Sequence, residues 1–156
     1  MEYNDITERL QSFYRKRLIG AVVAIVIAAA LKMLIPLKPF PFFTHNTVMI
    51  ITATLSAVTA IALPILYRSY FVDRIKGRKR IGMDEFLSFE QNTISIALAT
   101  PYLLALAILT GMNRVALMMI TFFTLYAVYF FFPSAKKIGF EMKFFRLLPV
   151  QKKKKR

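Results

Sequence analysis

Four apolar runs, residues 18–37, 47–67, 93–110 and 115–132, hold one charged side chain between them, Lys32, and no Asp or Glu. No other feature restricts the fold as tightly. Runs of this length, wound as helices, extend about 27–32 Å at 1.5 Å per residue. A bilayer's hydrocarbon core is about 30 Å thick. A helix also satisfies its own backbone, so each run can lie in lipid without orphaned N–H or C=O groups. The expectation is an all-α integral membrane protein with four transmembrane helices.

The segments between these runs carry the charge. Residues 1–17, 68–92 and 133–156 hold nineteen of the 22 Lys and Arg, and the remaining three are Lys32, Lys38 and Arg114. Short loops rich in Lys and Arg stay in the cytoplasm. Both termini and the central connector are therefore expected there, with 18–67 and 93–132 forming two antiparallel transmembrane hairpins. The last turn, Gly111-Met112-Asn113-Arg114, is so short that its two runs must be neighbours. A bacterial or archaeal plasma membrane is the expected location. The net charge of +14 is explained first by this sorting, and no nucleic-acid partner is expected.

Arg15-Lys16-Arg17 ahead of an apolar run, followed by Ala28-Ala29-Ala30, also fits a signal peptide. Seventeen residues precede the run, however, and apolar residues continue past Lys32. A first transmembrane helix is the reading adopted. Ahead of it, Ile6, Leu10 and Phe13 recur at helical spacing, which fits a short helix along the headgroups, capped by Asp5 or Thr7.

Within the spans, small residues mark packing faces. Gly20, Ala24 and Ala28 fall four apart, and Ala53, Ala57 and Ala60 sit beside Thr52, Ser56 and Thr59. Small side chains let helix backbones approach, and hydroxyls can bond back to the preceding turn. Pro64 falls near the cytoplasmic end of its run, where a kink or widened turn is tolerated. Pro101 predicts a break, since it lacks an N–H and clashes with the carbonyl of Ala97. The aromatics of 122–132 resemble an interfacial belt.

Two segments outside the spans are amphipathic. Residues 83–92 place Asp84 and Glu85 ahead of Phe86, Leu87 and Phe89, predicting a short helix with its aromatics in the bilayer interface. In the tail, Ile138, Phe140, Met142 and Phe144 alternate like a strand, yet a short interfacial helix suits the surrounding Lys136, Lys137, Lys143 and Arg146 better. Contacts to anionic phospholipid or to a partner protein are expected from Arg74, Lys76, Arg78, Lys79, Arg80, Lys136 and Lys137. The same applies to the terminal run Lys152, Lys153, Lys154, Lys155 and Arg156.

Chemistry-bearing patterns are scarce. The chain has no Cys and one His, His45, so thiolate chemistry is excluded and no set of ligands for a metal, haem or chlorophyll is expected. The glycines of Gly77-Arg78-Lys79-Arg80 lack the spacing of a phosphate-binding loop. No catalytic residue and no cofactor is expected. The reading adopted is a non-catalytic membrane subunit or assembly factor, working with other subunits or as a homo-oligomer. A small oligomeric transporter or channel is the alternative, resting on Thr52, Ser56, Thr59, Thr100, Pro101 and Lys32. A lipid-active enzyme, using Asp84, Glu85 and Glu90 at the surface, ranks third.

Overall fold

A computed structural model describes residues 3–34, 46–76 and 81–145. Helices account for nearly all of them, and no strand occurs among the described residues. The elements are α1 (Tyr3–Leu34), α2 (Asn46–Ala57), a π-helical turn (Val58–Ala62), α3 (Leu63–Ile75), α4 (Met83–Ala97), α5 (Thr100–Thr110), α6 (Arg114–Phe130) and α7 (Ala135–Phe144).

Three stretches are long and apolar enough to cross a membrane: Asp5–Leu34, Asn46–Ile75 and Met83–Thr110. A fourth is obtained if Arg114–Phe130 and Ala135–Phe144, bent by 72°, are taken together. The all-helical, membrane-type expectation therefore holds. Stretches of 30, 30 and 28 residues extend about 42–45 Å, well beyond a hydrocarbon core of about 30 Å.

Local chemistry explains where the helices bend. The wide turn at Val58–Ala62 closes with the Leu63 N–H reaching the Val58 carbonyl, one residue further back than in an α-helix. Pro64 follows in the first turn of α3. The widening makes room for a ring that would otherwise press on the carbonyl four residues earlier. At Leu98–Ala99 the helix breaks ahead of Pro101, and the backbone tightens: Ala99 N–H bonds to Ile96 O at 3.2 Å and Tyr102 N–H to Ala99 O at 3.1 Å. Gly111 ends α5 in the left-handed region, φ 73°, where a side chain would be strained. The Met112 N–H then returns to the Ala107 carbonyl at 3.3 Å, closing a Schellman-type turn. Asn113 caps α6, its Oδ1 accepting from the Ala116 N–H at 2.8 Å.

The α4–α5 helix is the centre of the bundle. Its apolar window is 56% buried, against 28% for Asn46–Ile75 and 11% for Asp5–Leu34. Helix α1 packs mainly along α5, α6 packs on α5 and α2, and α3 packs on α4. Through the apolar half these contacts use small side chains: Ala28, Ala53, Ala60, Ala97, Ala107, Ala116 and Ala127 are all buried.

Several sequence expectations change here. The first 17 residues form no separate surface helix, because α1 runs unbroken from Tyr3 into the first apolar stretch. Ile6 and Leu10 are fully buried in the protein rather than in headgroups. Residues 83–92 are helical as expected, but continuous with the third apolar run. Their aromatics turn inward, with Phe86 0% and Phe89 2% exposed. The basic charge of residues 71–82, with Gly77 and Gly82, predicts an irregular stretch, but residues 71–75 complete α3. In each case the helices outlast the apolar stretch. Their polar ends, brought side by side, bury their apolar stripes against one another.

Candidate functional site

At the end of the bundle where α1 begins, α3 ends and α4 begins, a second type of core forms. Ile6, Leu10 and Tyr14 of α1 meet Phe71, Ile81, Phe86, Phe89, Ile138 and Phe145. Phe89 stacks between Phe71, with ring centroids 4.1 Å apart, and Tyr67, at 5.5 Å. The Phe145 ring stands edge-on to Phe71 at 5.6 Å. Asn92 Nδ2 donates to the Tyr67 hydroxyl at 3.0 Å, which holds that ring at the edge of the stack.

Two carboxyl groups are enclosed with these rings. Glu141 of α7 is 3% exposed and Glu90 of α4 is 7% exposed. Both belong to apolar helix stripes: Ile138, Glu141 and Phe145 fall on one face of α7, and Phe86, Glu90, Thr93 and Ala97 on one face of α4. Arg68 of α3 donates from Nη1 to Glu141 Oε1 at 3.1 Å, with its guanidinium carbon 5.9 Å from the Phe145 ring centroid. The Glu90 carboxyl faces Glu141, and Arg68 and Lys137 are the cations near it. Lys137 Nζ is held at the bundle edge, donating to the Phe130 carbonyl at 3.1 Å beside the Phe130 and Phe131 rings.

Glu141 Oε2 has no donor when both carboxyl groups are ionised. Leaving a buried carboxylate oxygen unpaired costs about 1–3 kcal/mol or more. The facing Glu90 carboxyl is the neighbour that would supply a donor to Glu141 on taking up a proton. The cluster thus acts as a fastener, in which one residue each from α3, α4 and α7 ties the tail helix to the bundle. Two further bonds hold the same region: Gln11 Nε2 donates to the Pro133 carbonyl at 3.1 Å, and the Tyr14 hydroxyl to the Val128 carbonyl at 2.6 Å. Ser134 caps α7, accepting from the Lys137 N–H at 3.3 Å.

A second polar node lies where the two helix breaks meet. The Thr59 hydroxyl is 3.0 Å from Leu55 O and 3.1 Å from Ser56 O, and 3.0 Å from Thr100 Oγ1. With one proton to give, Thr59 donates to its own helix and accepts from Thr100. Thr52, Ser56, Thr93, Thr110 and Thr124 each bond a carbonyl one turn back.

The residues singled out from sequence are distributed as follows. Arg74 and Lys76 are exposed at the end of α3, Lys76 4.0 Å from the Asp73 carboxylate. Lys136 is exposed and Lys137 half-buried. Arg78, Lys79, Arg80 and the run Lys152 to Arg156 lie outside the described residues. Of the small-residue positions, Ala28, Ala53, Ala60 and Pro101 are buried, and Ala24 and Ala57 half-buried. Gly20 is open to the surface, yet a Cβ there would stand 3.1 Å from the Tyr102 hydroxyl. Asp84, Glu85 and Glu90 are not brought together as a ligand set, and the described residues hold no group of three or more metal-ligating side chains. Glu90 turns instead to Glu141, a partner the sequence reading did not assign. A lone acid on an otherwise apolar helix stripe was the available signal for both.

Comparison with protein-family models, curated proteins and solved structures finds no match.

Proposed function

We propose that the chain is a multi-pass membrane protein with four transmembrane helices in two antiparallel hairpins, and with both termini in the cytoplasm of a bacterial or archaeal cell. In this reading it is a non-catalytic subunit or assembly factor of a larger membrane complex. The observation that carries the reading is the uneven use of helix surface: α1 spends 11% of its apolar window on internal packing, α4–α5 56%. Val22, Val23, Val26 and Ile27 of α1, with Met118, Phe122, Leu125 and Tyr129 of α6, are exposed. Such faces suit lipid or the helices of other subunits. Exposed Arg15, Lys16, Arg17, Arg74 and Lys136 suit anionic phospholipid at the cytoplasmic surface. Among the described residues the buried hydroxyls Thr52, Ser56, Thr93, Thr110 and Thr124 bond within their own helices, and Glu141 pairs with Arg68, which favours a structural role over turnover.

Extraction in mild detergent, followed by size measurement and identification of co-purifying proteins, tests this. A stable heteromer of defined composition is the expected result. A monomer that recruits nothing, with growth and membrane-complex levels unchanged on deletion, counts against it. Reporter fusions after residues 42 and 78 are expected on opposite sides of the membrane.

A transport reading draws support from the facing helix breaks joined through Thr59 and Thr100, a geometry found at substrate sites in transporters. Solute or ion flux in liposomes, abolished by Ser56→Phe in a protein that still folds, would favour it over the subunit reading.

A further inference from the structure

Glu141 is 3% exposed, and its Oε2 meets no donor although its Oε1 accepts from Arg68 Nη1 at 3.1 Å. The group it faces is a second enclosed carboxyl, that of Glu90, 7% exposed. Two ionised carboxylates enclosed face to face repel each other. A single proton between them removes the repulsion and gives the bare oxygen a hydrogen bond.

Each element packed around the pair contributes differently. Helix α3 supplies Arg68, already bonded to Glu141 Oε1. Helix α7 supplies Lys137, whose Nζ is committed to the Phe130 carbonyl and lies beside the Phe130 and Phe131 rings. Helix α1 brings Ile6, Leu10 and Tyr14 to this core, and the Tyr14 hydroxyl is given to the Val128 carbonyl. The π-helical turn beside α4 has no titratable side chain. A metal ion fits poorly: hard divalent cations take about six or more oxygens, whereas no three metal-ligating side chains gather among the described residues. A proton needs only the pair.

We infer that Glu90 and Glu141 form a proton-binding site that couples docking of α7 to the pH around that end of the bundle. With α7 docked, the pair holds one proton. With α7 released, both carboxyl groups meet water and ionise above about pH 4, so release sheds the proton. Docking is therefore strongest at low pH. It weakens as pH rises, until the docked pair itself gives up its proton. Arg68, with 43% of its side chain exposed, puts one edge of the site at the water boundary. Release takes Ile138 and Phe145 away from Phe86 and Phe89, and moves Lys136, Lys137 and Lys143 with α7. The site goes beyond the subunit reading and does not depend on it, since every residue belongs to one chain.

Hydrogen exchange on the full chain in detergent micelles tests the coupling. The opening constant of the amides of 138–145, corrected for the intrinsic pH dependence of exchange, is expected to rise by up to about tenfold per pH unit between about pH 5 and pH 7. Glu90→Gln keeps a donor beside Glu141 without a titrating proton, so its opening constant is expected to stay flat. A flat profile in the native chain, or the native slope retained in Glu90→Gln, overturns the site. If Glu90→Gln does not fold, Glu141→Gln, whose amide can accept from Arg68 and donate to Glu90, carries the same comparison. Infrared spectroscopy adds a reading that needs no variant to fold: the native chain at neutral pH is expected to show the carbonyl band of a protonated carboxyl group. Absence of that band overturns the proposal. A band that persists in the folded glutamine variant assigns the proton to another group and overturns it as well.

Discussion

The end of the bundle around Phe86 and the half beyond Thr100 are packed by different means. Around Phe86, large rings interlock and enclose Arg68 with two carboxyl groups, so side chains fill the space between helices. Beyond Thr100, alanines and back-bonded hydroxyls bring helix backbones close around a few buried large side chains, among them Leu104, Met112 and Ile120, while many others are exposed. In water, apolar burial drives the first kind of packing. In lipid that force is lost between helices, and close backbone approach with internal hydrogen bonds takes its place. The contrast marks along the helices where the solvent is expected to change.

Substitutions can break this contrast. The largest effect is expected at Phe86, which is fully buried: Phe86→Ala should cost about 3–5 kcal/mol. Phe122→Ala, at a site 70% exposed, should stay within about 0.5 kcal/mol. Unfolding of both variants in the same mild detergent measures the difference. Comparable losses would mean that the two ends share one packing regime.

Removal of Arg68 should rank next. Arg68→Ala leaves Glu141 buried without its ion-pair partner, at a cost of about 3 kcal/mol, the low end of the range for broken buried pairs because the Arg68 side chain is 43% exposed. Glu90→Gln should act in the opposite direction. Its amide can donate to the orphaned Glu141 Oε2 whatever the ionisation of the site, raising stability by about 1 kcal/mol. Proteolysis within α7, faster in Arg68→Ala and slower in Glu90→Gln, reads out both changes as docking of the tail helix.

Much of the helical layout was legible in the sequence, because hydropathy and proline act over a few residues. The widened turn before Pro64 and the break before Pro101 follow from a missing N–H and a steric clash, both local. The aromatic core was not legible. Ile6, Leu10, Phe86 and Phe89 show helical spacing, but an apolar stripe looks the same whether it faces headgroups or another helix. Only the bundle shows that α1, α3, α4 and α7 extend far enough to cover one another. Glu90 and Glu141 stand 51 positions apart, and nothing local to either names the other. Their placement on apolar stripes was visible, and it marks both as residues that need a partner.

Smaller effects sharpen the comparison in the alanine-packed half. Ala60 is fully buried beside Ala97 and Ala127, so Ala60→Leu should force the helices apart at about 1–3 kcal/mol. Thr100→Val removes the donor to Thr59 but leaves the Thr59 hydroxyl bonded within its own helix. About 0.6 kcal/mol is expected, typical of hydrogen bonds between membrane helices. A double-mutant cycle of Thr59→Val with Thr100→Val checks the value, and a coupling energy of several kcal/mol would mark the node as more than a packing contact.

The wide turn at Val58–Ala62 also sets the angular phase of everything after it. Each residue advances a helix by about 100°, so the one additional residue in that ring fixes which way α3 points its side chains. Deleting a single residue there would restore an even spiral and turn Arg68 and Phe71 by about a quarter of a circle, away from Glu141 and Phe89. A local irregularity in the backbone thus decides which side chains of the next helix reach Glu141 and Phe89.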